Sequence, residues 1–247
     1  MESSNPTLNN KAFVEAQVIG GAPTMTIQGT VNKTLILLGL LIVSAISTWS
    51  AVSAGNMGTI GILLMVGGIG GFGLAIATSF KPTWAPITAP LYAVCEGIVL
   101  ALISAFFEAR YPGIIIQSVG LTFAVTMVML VGYKAGFFAA TPALRRGMMI
   151  AMGGLMLFYA VVFIAGFFGI HPPTFINGGG PLGIAFSLLV VGLAAMCLIL
   201  DFDFIEQAAK NNLEKRMEWY GAFSLMVTLV WLYLEILRLL SKVQSRN

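Results

Sequence analysis

Polar and apolar positions along this chain fall into long blocks. Residues 1–33 are polar, with Lys11, Glu15 and Lys33, and 47 uncharged residues then separate Lys33 from Lys81. A helix crosses the hydrocarbon core of a bilayer in roughly 20 apolar residues, so this block is too long for one crossing. The polar SAGN at 53–56 divides it into spans near 34–53 and 58–80. A third block, about 88–107, contains Glu96, and a fourth, about 113–133, ends at Lys134. Gly147 to Leu200 is a run of 54 residues without Asp, Glu, Lys or Arg, interrupted by HPPTFINGGGP at 171–181. The prolines and glycines of that segment mark a loop between spans near 147–169 and 182–200. The last block, near 219–240, holds Glu235 and ends in Arg238 and Lys242. The pattern predicts an all-α integral membrane protein with seven transmembrane helices.

Composition sharpens the class. Charged residues are 9% of the 247 and apolar residues 58%, with mean hydropathy +0.92, where soluble domains carry roughly a quarter charged residues. The blocks divide the chain into a polar N-terminal segment (1–33), a membrane domain (34–242) and a short tail (243–247), with the lipid bilayer as the first partner. The N-terminal segment lacks the basic start, apolar run and cleavage site of a secretory signal, so the first span is expected to direct insertion. Cys95 and Cys197 both fall in apolar segments and read as small buried side chains. A net charge of +3 gives no footprint for nucleic acid. Basic residues are biased toward one side: with the N-terminus inside, nine lie on inner segments and four on outer ones. By the positive-inside rule the N-terminus is cytoplasmic. The three basic residues Arg238, Lys242 and Arg246 run against this, which leaves open a seventh span that does not cross fully.

Two motif-like features carry little chemistry. GIGGFG at 68–73 fits G-x-G-x-x-G, but no strand precedes it and it sits in an apolar helix. Gly67 and Gly71 read instead as a small-residue face for helix packing. The single histidine, His171, lies in the proline-containing loop and leaves no His-Ser or His-Cys arrangement, and the two aspartates are two residues apart. No enzyme chemistry is indicated, and no cofactor or resident metal.

The acids are the informative residues. A carboxylate at mid-membrane costs about 2.5–3.5 kcal/mol on insertion scales, so it faces a cavity or a partner; Glu96 meets that description. Glu235 has Arg238 one turn on, a pair able to snorkel toward the interface. Asp201, Asp203 and Glu206 close the sixth span within LILDFDFIEQ. On composition they mark the water's edge. If the helix continues, Asp201 and Asp203 lie about 200° apart on its circumference, and only one points into the bundle.

APLYAVCEGIVLALISAFFEARYPGIIIQSVGLTF at 89–123, MLVGYKAGFF at 129–138, the LDFDFIEQ cluster and VWLYLEILRLL at 230–240 together resemble the Bax inhibitor family in its bacterial, YccA-like branch, across roughly residues 34–242. The resemblance implies six helices surrounding a central C-terminal one. It also implies a pH-sensitive calcium leak channel closed by two aspartates, one ending the sixth helix and one in the seventh. Asp201 takes the first role. For the second, one register of the last helix offers Glu235 and the other Thr228, with Glu235 seven residues on along the same face. The family's basic partner in the second helix has no counterpart except Lys81 at that span's end. The branch implies a bacterial inner (plasma) membrane and a link to stress responses.

Three functions follow as expectations. The first is a proton-sensitive cation leak in which Asp201 and Glu235 act as proton sensor and transient calcium ligands, with Asp203, Glu206 and Glu96 as further candidates on the ion pathway. The second is a non-conducting regulator that binds other membrane proteins through Gly67 and Gly71 or the N-terminal segment. The third is a proton-coupled transporter using Glu96 and Glu235.

Overall fold

The structure is a computed structural model that describes residues 23–53, 55, 57–169 and 178–246; Lys11, Glu15 and His171 lie outside them. Seven helices are long and apolar enough to cross a membrane: α1 (Ile27–Ser53), α2 (Met57–Phe80), α3 (Ala85–Arg110), α4 (Ile114–Lys134), α5 (Pro142–Phe167), α6 (Pro181–Lys210) and α7 (Met217–Gln244). An isolated β-bridge joins Thr24 and Glu214.

The helices outrun the apolar blocks. α1 begins seven residues before the first uncharged stretch, and α6 continues ten residues beyond its own, to Lys210. Backbone hydrogen bonding inside a helix does not depend on side-chain polarity, so turns that emerge from the apolar layer stay helical. LILDFDFIEQ therefore lies inside a helix and not at its end. The breaks use local chemistry: Thr141 caps α5 by accepting from Leu144 N at 3.1 Å, with Pro142 in the first turn. Gly136 turns the chain after α4 with φ +78°.

Side chains sort by environment. Isoleucine, leucine, valine and phenylalanine are exposed along α1, α2, α4 and α5, as expected of surfaces that meet lipid tails. The last helix is the most buried of the seven, 44% of its most apolar window against 6% for α5.

Packing gathers into two units, residues 1–110 with 203–227, and 111–202 with 228–247. In the first, small residues set helix spacing. A Cβ on Gly97 of α3 would land on the Leu41 carbonyl of α1, and beside it Ser44 Oγ donates to Val94 O at 2.7 Å. A Cβ on Gly67 of α2 would lie 3.0 Å from the Cys95 carbonyl, and one on Gly71 3.4 Å from Cys95 Cβ. Met25, Phe204, Ile205, Leu213, Met217 and Tyr220 form an apolar cluster at the N-terminal end of α7. There Met25 N donates to Leu213 O at 2.7 Å and Lys215 N to Pro23 O at 3.1 Å. In the second unit, Tyr133 of α4 meets Phe202 of α6 at 5.9 Å between ring centres, and the end of α7 is tied to α4, α5 and α6 by polar side chains.

Candidate functional site

Two helices that are apolar almost throughout meet along a polar line. Thr228 Oγ1 on α7 donates to Asp201 Oδ2 on α6 at 2.6 Å. Fourteen residues back on α6 and fourteen forward on α7, Lys242 Nζ donates to Ser187 Oγ at 2.9 Å and to Gly183 O at 3.1 Å. The two contacts share one antiparallel register. Seven residues from each, on the same faces, stand Ala194 and Glu235, both buried. Seven residues are close to two helical turns, so Thr228, Glu235 and Lys242 share a stripe of α7. Thr228, Glu235, Lys242 and Ser187 are all buried, and Asp201 is half-buried.

Of the two registers open for the last helix, the structure takes the one that sets Thr228 against Asp201. It does not bring Asp201 and Glu235 together. Thr228 is already in contact with Asp201, and Glu235 lies about 10 Å further along the axis. The Glu235 carboxylate instead receives Arg238 Nη1 at 2.8 Å and the Trp231 side chain, while Arg238 Nη1 also reaches Tyr159 Oη at 3.3 Å. The guanidinium is 39% exposed against 5% for Glu235, so the pair has one wet end, as snorkelling requires. A shared-proton pair of carboxylates is thus replaced by a carboxylate and a hydroxyl. Among the described residues no three His, Cys, Asp or Glu side chains form a metal-binding group.

The remaining candidates are dispersed. Glu206 pairs with Lys210 at 2.5 Å, one turn on, with the lysine 62% exposed; such exposed pairs contribute at most about 1 kcal/mol. Asp203 is half-buried and faces about 200° away from Asp201. Glu96 is half-buried and takes a hydrogen bond from Tyr92 one turn earlier, whose ring meets Phe223 edge-on at 5.1 Å. Lys81 is exposed, its ammonium 4.4 Å from the centre of the Trp84 ring, the geometry of an interfacial anchor. Gly67 and Gly71 lie under Cys95 of α3.

Sequence reasoning passed over a second polar contact, in the first unit. Thr26 caps α1, its Oγ1 accepting from Gly29 N at 2.9 Å. A capping box would place a Glu at Gly29 to return the bond to the cap's own amide. Here Glu218, in the first turn of α7, does so from another helix: Oε1 accepts from Thr26 N and from Thr26 Oγ1, each at 3.0 Å. Lys33 Nζ pairs with its Oε2. Glu218 is 1% exposed, and a Cβ on Gly29 would overlap its carboxylate. The signal was present in TIQG followed by a lone acid opening the last apolar block, but nothing in the sequence joins positions 192 residues apart.

The two ends of α7 therefore meet different helix ends. Its first turn meets the start of α1 through Glu218. Its last turns meet the starts of α6 and α4 through Lys242 and through Gln244, whose Nε2 donates to Gln117 Oε1 at 3.3 Å. At 28 residues, or about 42 Å, α7 is long enough for a full crossing.

No curated protein and no solved structure matches the chain. The sequence profile described as Bax inhibitor 1 like matches residues 5–245, nearly the whole length, and the chain belongs to that family.

Proposed function

We propose that this protein forms a cation leak through the membrane, with calcium as the ion passed, pH as the variable that sets its flux, and the Asp201–Thr228 contact as its closure. The supporting observation is a half-buried carboxylate held at 2.6 Å by a hydroxyl of the neighbouring helix, on a polar line through otherwise apolar helices. Carboxylate oxygens are hard ligands suited to Ca²⁺. The Thr228 hydroxyl competes with a cation for the same lone pairs, so the hydrogen-bonded arrangement is closed and the cation-bound one open. Protonating Asp201 removes the charge that attracts the cation, so flux falls as pH falls.

The membrane is a bacterial plasma membrane in this reading, with the N-terminus in the cytoplasm, as the distribution of basic residues favours. A leak is favoured over a partner-binding regulator because Gly67 and Gly71 already pack against α3. Calcium entry into liposomes holding the purified protein, at pH 6 and pH 8, tests the proposal against Asp201→Asn. Greater flux at pH 8 in the parent, lost in the variant, supports it; a profile unchanged by Asp201→Asn defeats it.

A further inference from the structure

Lys242 is 3% exposed, yet its ammonium meets no carboxylate at ion-pair distance among the described residues. Its partners are two neutral oxygens, Gly183 O at 3.1 Å and Ser187 Oγ at 2.9 Å. Glu235, one heptad back on the same face, is engaged by Arg238. Lysines in apolar spans ordinarily pair with an acid or reach for water along their own stem, and this one does neither. The surroundings hold it in place. A Cβ on Gly179 would lie 2.5 Å from Ser245 Oγ and 3.0 Å from the Lys242 carbonyl, so the chain before α6 closes directly over the last turn of α7.

A carbonyl and a hydroxyl facing one positive charge are the ligands with which proteins replace the hydration shell of a monovalent cation. We propose that Ser187 and Gly183 form a monovalent-cation site at the C-terminal end of α7, occupied by the chain's own Lys242 as a tethered cation that holds mobile cations off that end of the pathway. Among the described residues of α7 at this end, Arg238 and Lys242 outnumber Glu235 by one charge, while Asp201 stands at the other station. This inference rests on the proposed leak.

Potassium and calcium flux in proteoliposomes test it with Lys242→Ala, Lys242→Arg and Ser187→Ala. Lys242→Ala is expected to raise potassium flux by about tenfold, the effect of removing a barrier of about 1.4 kcal/mol. Propylammonium, which restores the missing ammonium and stem, suppresses the added flux, and Lys242→Arg stays at the parent level. An added flux that propylammonium leaves untouched overturns the inference, since a loosened helix end would not respond to an amine. If Lys242→Ala is not recovered folded, Ser187→Ala carries the test: it withdraws one ligand but keeps the charge, and a flux no higher than the parent's overturns the inference. Calcium flux in the parent with no rise in either Lys242→Ala or Ser187→Ala overturns this inference alone. Absence of cation flux from the parent and every variant overturns the leak as well.

Discussion

Thr228 Oγ1 stands 2.6 Å from Asp201 Oδ2 and donates to it. One of the two registers left open by the family resemblance set two carboxylates at this point, which cannot both ionise cheaply when they touch and so share a proton. A hydroxyl keeps its proton across the physiological range. The contact therefore persists as a charge-assisted bond when Asp201 ionises, and in the proposed leak the cation drawn by that same charge must outcompete it. In the proposed leak, closure yields to competition from a cation, not to repulsion between acids.

Replacing Thr228 by Asp restores two facing carboxylates. The flux profile of Thr228→Asp is expected to shift to higher pH than the parent's and to steepen, because a shared proton must leave before the helices separate. Calcium entry measured in half-unit steps from pH 5 to pH 9 reads this directly. A profile superimposable on the parent's would mean that residue 228 does not face Asp201.

Glu235 is placed too far from Asp201 to share its titration. Glu235→Gln should leave the midpoint of the flux profile where it is and lower thermal stability modestly, by about 1 kcal/mol, since Arg238 is partly exposed and recovers water. A midpoint that moves in Glu235→Gln would show the two acids to be coupled.

The buried Glu218–Lys33 pair is a stability element. Removing one partner strands the other charge in a poorly solvated place, at about 3–5 kcal/mol. Glu218→Gln and Lys33→Met are each expected to lower the melting temperature in detergent, and the double variant by less than the sum of the two. Additive losses would show that the two side chains do not interact.

The α1–α3 contact admits no side chain at residue 97, where the obstacle is the Leu41 backbone carbonyl. Gly97→Ala should cost about 1–3 kcal/mol as an overpacked contact. Gly73→Ala, where nothing lies within 4 Å, should be near neutral. Equal melting temperatures for the two variants would contradict the packing.

Seven apolar blocks in the sequence were enough to place seven helices, because hydrocarbon permits little besides a helix. Their ends were not legible: Asp201, Asp203 and Glu206 read as a boundary when charge was equated with the edge of the helix, whereas α6 runs on to Lys210. The candidate site was half legible. Asp201 stood out as an acid, but Thr228 and Ser187 are ordinary residues made informative only by register. The heptad spacing of Thr228, Glu235 and Lys242, mirrored by Ser187, Ala194 and Asp201, is the signal that would have paired them. Glu218 was hidden for a different reason, since a cap supplied from another helix leaves no local pattern.

In the proposed leak the Thr228 hydroxyl holds the pathway shut at Asp201. Valine keeps the shape of threonine without the hydroxyl, and a hydrogen bond to a charged group contributes about 1.5–3 kcal/mol, enough to shift a closed–open balance roughly ten- to a hundredfold. The measurement is calcium entry at pH 8 into liposomes carrying equal amounts of the parent or Thr228→Val. Faster entry through Thr228→Val, by at least about tenfold, is expected; entry at or below the parent rate, from protein of unchanged fold, would contradict closure by this hydroxyl.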